Sequence, residues 1–116
     1  MSDLADQLRL LEDARARILD PKHWTQNVIA RNAAGEETGE DQPDAVCWCA
    51  LGSIYRSAYE LGIGPGTRSR AHRLLARPRA LITTNDDMGH AAVIDLFDQT
   101  IADVRAAIQK EGGDPV

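Results

Sequence analysis

Two stretches, one near each end of the chain, carry apolar residues at the 3.6-residue period of an α-helix, and they set the fold class before anything else. Leu4, Leu8, Leu11, Ile18 and Leu19 fall on one side of a helix over residues 2–19, with Ser2 to cap it and Pro21 to stop it. Val93, Leu96, Phe97, Thr100, Val104, Ala107 and Ile108 stripe a long final helix that runs to about Lys110. In TTNDDMGH, residues 83–90, either Thr84 with Asp87 or Asn85 with the acidic residues after it supplies that helix's start. Two further helices fit between. One starts at Asp44 behind Pro43 and runs to about Leu61. GIGPG at 62–66 then turns the chain, and Thr67 or Ser69 caps a short helix with Ala71, Leu74 and Leu75 inward, ended by Pro78.

From Trp24 the helical period is lost. AAGEETGE, with Gly35 and Gly39, marks residues 24–42 as a short β-hairpin or irregular excursion. ALIT at 80–83 reads as one buried extended strand, and the tail EGGDPV as frayed. The expectation is a mainly α, single small domain over residues 1–116 with about four helices. At 116 residues there is room for one core and no second domain. A formal charge of -5 gives no general bias toward nucleic acid or anionic membrane. No apolar run approaches the roughly 20 residues that cross a bilayer, and the acidic opening is a poor secretory signal. The expected location is therefore cytoplasmic, where the two cysteines stay reduced.

The densest chemistry lies in DAVCWCALGS, residues 44–53. On a helix, Cys47 and Cys49 project about 200° apart and cannot pair within one molecule. Cys47 would share the apolar stripe of Ala50, Leu51, Ile54, Ala58 and Leu61, a small buried hydrophobe. Cys49 would face Gly52, Ser53, Arg56 and Glu60, either because small residues there admit a neighbouring helix or because Arg56 and the helix start activate the thiol. Trp48, Tyr55 and Tyr59 would roof a core edge or form an aromatic shelf for a partner. Diverging cysteines with only His23, His72 and His90 besides give no metal set, and nothing implies a cofactor. Cys49, His90 and Asn85 or Asp86 do supply the residue types of a cysteine hydrolase. The objection is that such triads usually hold the histidine on a sheet, for which strand signals are few.

TRSRAHRLLARPR carries five arginines, and on a helix Arg70, Arg73 and Arg77 line one face. That face could grip phosphate or nucleic acid, but the aromatic interleaving of single-strand binders is missing, which leaves nucleic acid disfavoured. Solvation is the plainer reading, or pairing with EETGEDQPD, residues 36–44, whose five carboxylates have no neighbouring base.

WTQNVIAR, then WCALGS, then TNDD ahead of the last helix resemble a small bacterial and phage family of unknown function. Its members look like W-T-Q-x-x-x-A-R, W-C-A-x-G-A and aromatic-N-D. The resemblance spans about residues 14–108 and implies roles for Trp24, Thr25, Gln26, Arg31, Trp48, Cys49, Ala50, Gly52, Asn85 and Asp86. This chain departs from the pattern at Ser53 and Thr84. No activity comes with the family. The expectation is a non-catalytic interaction or regulatory protein that meets a protein partner or itself, as a homodimer. Trp24, Gln26, Trp48, Arg70, Arg73 and Arg77 are the candidate binding residues.

Overall fold

The computed structural model describes residues 3–111. The expected cap at Ser2 and the tail from Gly112 lie outside the described residues. Helix α1, Asp3–Ile18, leads into a single 3-10 turn, Pro21–His23. Strands β1 (Ala30–Asn32), β2 (Glu37–Thr38) and β3 (Ala45–Trp48) follow, then α2 (Ala50–Leu61) and α3 (Pro65–Leu75). A helical turn α4 (Leu81–Thr83) runs into a π-helical turn (Thr84–Met88), and α5 (His90–Glu111) closes the chain.

The fold is mainly helical with a small antiparallel sheet, as the periodicities require. α1 buries Leu10, Leu11, Ala14 and Ile18 against α2 and α5, and α3 closes the bundle with Ala71 and Leu75. Asp3 and Asp6 in its first turn and Arg15 and Arg17 in its last complement its dipole. Leu19, expected on the stripe, is 46% exposed because the helix has already ended and Asp20 turns away to cap the 3-10 turn, accepting Lys22 N–H at 2.9 Å. On α5, Val93, Phe97, Thr100, Ile101 and Val104 are buried, with Leu96 and Ile108 at the margin.

The excursion holds the expected hairpin. β1 pairs with β2 (Ala30 opposite Thr38), and its turn is fixed by Asn32 Oδ1, which accepts the N–H groups of Ala34 and Glu36 at 3.0 Å each. The hairpin is then extended by a strand placed where a helix was expected. β3 runs antiparallel along the other edge of β1, opposing Trp48 to Ala30 and Cys47 to Arg31, so the sheet order is β2-β1-β3. Ala45 and Trp48 point inward while Val46 is exposed. Asp44 caps nothing; its carboxylate accepts from Thr38 Oγ1 at 3.0 Å. α2 begins six residues later than predicted, with Cys49 as its N-cap, and Sγ accepts Gly52 N–H at 3.3 Å.

Three other boundaries differ from expectation. α3 starts at Pro65, whose ring fits the first helical position, and Thr67 instead bonds Asp3 on α1. ALIT is helical, with Leu81 buried and Ile82 55% exposed. α5 begins at His90 after Gly89, whose φ of 92° breaks the helix; neither Thr84 nor Asn85 caps it. Asn85 is instead engaged by other elements.

Candidate functional site

Asn85 is the buried centre of a hydrogen-bonded junction. Its Oδ1 accepts the indole N–H of Trp24 at 2.7 Å and the backbone N–H of Ala50, the first residue of α2, at 2.9 Å. Its Nδ2 donates to Thr25 O at 3.1 Å and to Asp86 Oδ1 at 2.9 Å. Gln26 Nε2 donates to the carbonyls of Asn85 and Asp86, both at 3.1 Å, and Asp86 Oδ1 also accepts Asn27 N–H at 2.9 Å. Asn27 sits at φ 71°, a left-handed conformation that asparagine tolerates better than most residues. Arg31 fastens the same segment from β1, donating to Thr25 Oγ1 at 2.9 Å and Gly35 O at 3.0 Å. Segment 24–29, the start of α2 and the π turn are thereby held as one body. Ile29 completes it: its carbonyl accepts Cys49 N–H at 3.1 Å and would stand 2.3 Å from a Cβ at Gly52. The small residue beside Cys49 therefore admits this backbone, not the neighbouring helix that was expected.

Along the junction runs a cleft of ≈ 170 Å³ walled by Val28, Ile29, Leu51 and Ile82, with Cys49, Asn27, Asn85 and Asp86 completing it. Cys49 is 7% exposed. Burial pushes its thiol pKa up; the N–H groups of Gly52 and Leu51 pull the other way, and the Asp86 charge adds to the rise. At neutral pH this cysteine is a thiol, not a thiolate nucleophile. His90 does not line the cleft. Its Nε2 bonds Ile18 O at 2.8 Å and its ring meets Trp24 edge-on, 5.3 Å between centroids, so it reaches Asn85 only through the indole. Cys49, Asn85 and Asp86 thus come together while His90 is turned to α1.

The other sequence-predicted positions divide sharply. Trp48 is buried, donates to Glu40 O at 3.0 Å and has the Arg17 and Arg56 guanidiniums 5.3 and 5.5 Å from its ring. Trp24 and Gln26 are spent inside the junction. Cys47, expected in the core of a helix, lies on β3, half-buried, with its thiol 3.9 Å from Arg31 O. Arg70 grips Asp3 through Nε and Nη2 at 2.7 and 3.0 Å, whereas Arg73 and Arg77 are exposed. The ion pair of the arginine face is therefore to α1, not to residues 36–44. Among the described residues no three His, Cys, Asp or Glu side chains converge to hold a metal. No described helix is long and apolar enough to cross a membrane. Sequence reasoning missed the apolar wall: Val28, Leu51 and Ile82 carry no motif, and only the fold brings them together.

The fold and cleft define a small, mainly helical domain with a hydrogen-bonded motif junction. Residues 4–103 match the sequence model of a family of unknown function, DUF6197, and the chain belongs to that family. No curated protein and no solved structure matches it.

Proposed function

We propose that this chain is a non-catalytic interaction domain of the bacterial or phage cytoplasm, whose cleft beside Cys49 takes an apolar side chain of a partner protein flanked by a basic residue. The observation that carries this reading is the division of labour at Asp86. Its Oδ1 is committed to Asn27 and Asn85, while Oδ2 makes no hydrogen bond among the described residues and sits at the rim of an apolar cleft. A carboxylate so placed selects a cation or N–H donor beside whatever fills the apolar wall. Ile82, 55% exposed, presents part of that apolar wall to the surface. The groups a cysteine hydrolase would need are occupied or neutral: His90 is bonded to Ile18, Asn85 has no spare atom, and Cys49 is protonated. Two unpaired cysteines suit the reducing cytoplasm.

Short peptides pairing leucine or phenylalanine with lysine or arginine, titrated against labelled protein, should shift the amides of Leu51, Ile82 and Asp86. Asp86→Asn keeps the Oδ1 acceptor and removes the charge. It should weaken binding about tenfold, roughly 1.4 kcal/mol, and flatten the salt dependence. Peptides that leave those amides unmoved, or bind Asp86→Asn and Ile82→Glu as well as the parent, would reject the cleft as the contact.

A further inference from the structure

The five half-buried arginines of the described chain are Arg15, Arg17, Arg31, Arg56 and Arg68. Four of them donate to protein oxygens: Arg15 to Asp98, Arg17 to Ser57 and Glu60, Arg31 to Thr25, Arg56 to Glu60 and the carbonyls of Glu40 and Gln42. Arg68 does not. Its guanidinium lies over the Tyr55 ring, 4.3 Å from the centroid, and its Nε is buried with no acceptor. Its Nη1 and Nη2 make no hydrogen bond among the described residues either, and they are the donors left for an acceptor that enters from outside.

Arg68 lines a cleft of ≈ 260 Å³ beside α2 that shares no residue with the Cys49 cleft. Tyr55, Ala58, Tyr59, Ile63 and Pro65 give it an apolar and aromatic lining, and Glu40 and Asp41 line it with them. Neither carboxylate comes within 4.0 Å of the guanidinium, and neither forms an ion pair among the described residues. The acidic wall is nonetheless fixed in place. Glu40 O is clamped by Trp48 Nε1 and Arg56 Nη1, and Gln42 O by Arg56 at 3.0 Å. The cleft thus gathers a cation and two anions, not paired with one another among the described residues, with an apolar and aromatic lining.

We propose that this cleft binds a zwitterionic α-amino acid with an aliphatic side chain, its carboxylate on Arg68, its ammonium on Glu40 and Asp41, and its side chain on Tyr55, Ile63 and Pro65. A planar guanidinium with free donors matches a carboxylate two bonds at a time. The acidic wall selects against phosphate dianions and acidic peptides, which would meet like charge, and in favour of a ligand carrying both signs.

The test is an amide-shift titration with L-leucine, N-acetyl-leucine, leucinamide and inorganic phosphate. Leucine should move residues 40–41, 55–59 and 63–68 and bind at least about tenfold tighter than either blocked derivative or phosphate. Arg68→Gln should reduce leucine to the level of leucinamide. The double variant Glu40→Gln, Asp41→Asn leaves Arg68 and its neighbours intact, and should reduce leucine to the level of N-acetyl-leucine. Silence toward leucine up to about 10 mM overturns the proposal. So does equal binding of leucine and N-acetyl-leucine, or phosphate binding tighter than leucine. None of these outcomes bears on peptide binding at Asp86, because the reporting amides are different.

Discussion

Asn85 shows how much a single amide can do when both its ends are used. Four groups depend on it: an indole N–H, the N–H of Ala50 that α2 cannot satisfy internally, the Thr25 carbonyl and the Asp86 carboxylate. Asn85→Ala strands a buried donor and a half-buried one at once, and at about 1–3 kcal/mol each it should lower unfolding free energy by about 2–6 kcal/mol. Urea denaturation checks this; a loss below about 1 kcal/mol would mean that water replaces the side chain. Asn85→Asp keeps both acceptor contacts but sets a second charge beside Asp86, so its deficit should grow as pH rises through the carboxylate range. The sequence resemblance pointed to Trp24, Gln26, Asn85 and Asp86 as functional residues. The contacts assign three of them mainly to construction, and leave Asp86 Oδ2 without a hydrogen bond among the described residues. Nothing in the order of residues could reveal that distinction, because it depends on which atoms remain after the junction has formed.

At the scale of elements, the instructive difference is at DAVCWCALGS. Pro43 and Asp44 form a good local helix start, and helical angles then place Cys47 on the apolar stripe and Cys49 on a second face of one helix. The structure instead leaves Cys47 half-buried on β3 and buries Cys49 as the N-cap of α2. β1 offers an unpaired edge, and pairing residues 45–48 to it satisfies backbone groups that a helix would also satisfy, while burying Trp48 beneath Arg17 and Arg56. The long-range partner decides, and a window of ten residues does not contain it. The same reason explains ALIT, whose Leu81 is buried as expected but in a helical turn. Long periodic segments fared better, because α1 and α5 carry enough apolar residues in one stripe to fix their own type. A measurable consequence separates the two thiols. Cys49, N-capping α2 with a raised pKa, should alkylate with iodoacetamide at neutral pH only at the rate of unfolding, whereas half-buried Cys47 should react in the native state. Mass-spectrometric mapping after timed quenching reads this directly. Native-state labelling of Cys49 ahead of Cys47 would reject the burial argument and reopen the nucleophile reading.

For the molecule as a whole, the start of α1 is tied to α3 through a cluster that no local pattern of residues foretells. Asp3 accepts from Arg70 Nε and Nη2 and from Thr67, so the first turn of one helix is fixed to the middle of another 67 residues away. The Arg70 guanidinium chiefly, with Thr67 and Gln7 adding to it, holds the Asp3 carboxyl well below its ordinary 3.8. A carboxylate with a depressed folded pKa binds fewer protons when native than when unfolded. Its contribution is therefore complete above about pH 4 and is lost as pH falls from 3.8 toward the folded value. His72 on the same helix acts in the same sense, since burial lowers its pKa and makes protonation below the ordinary 6.5 favour the unfolded chain. Stability should thus decline in two stages on acidification, a first below pH 6.5 and a second below pH 4. The Asp3 and Arg70 side chains are 38% and 47% exposed, so solvent screening keeps the second stage small. Asp3→Asn should remove the second stage and keep the first, and His72→Gln the reverse, in unfolding midpoints measured from pH 8 to pH 2.5. If Asp3→Asn left the acid limb unchanged, the helix pair would be joined by Ala71 and Leu75 packing alone, and the ion pair would be a surface ornament of the bundle.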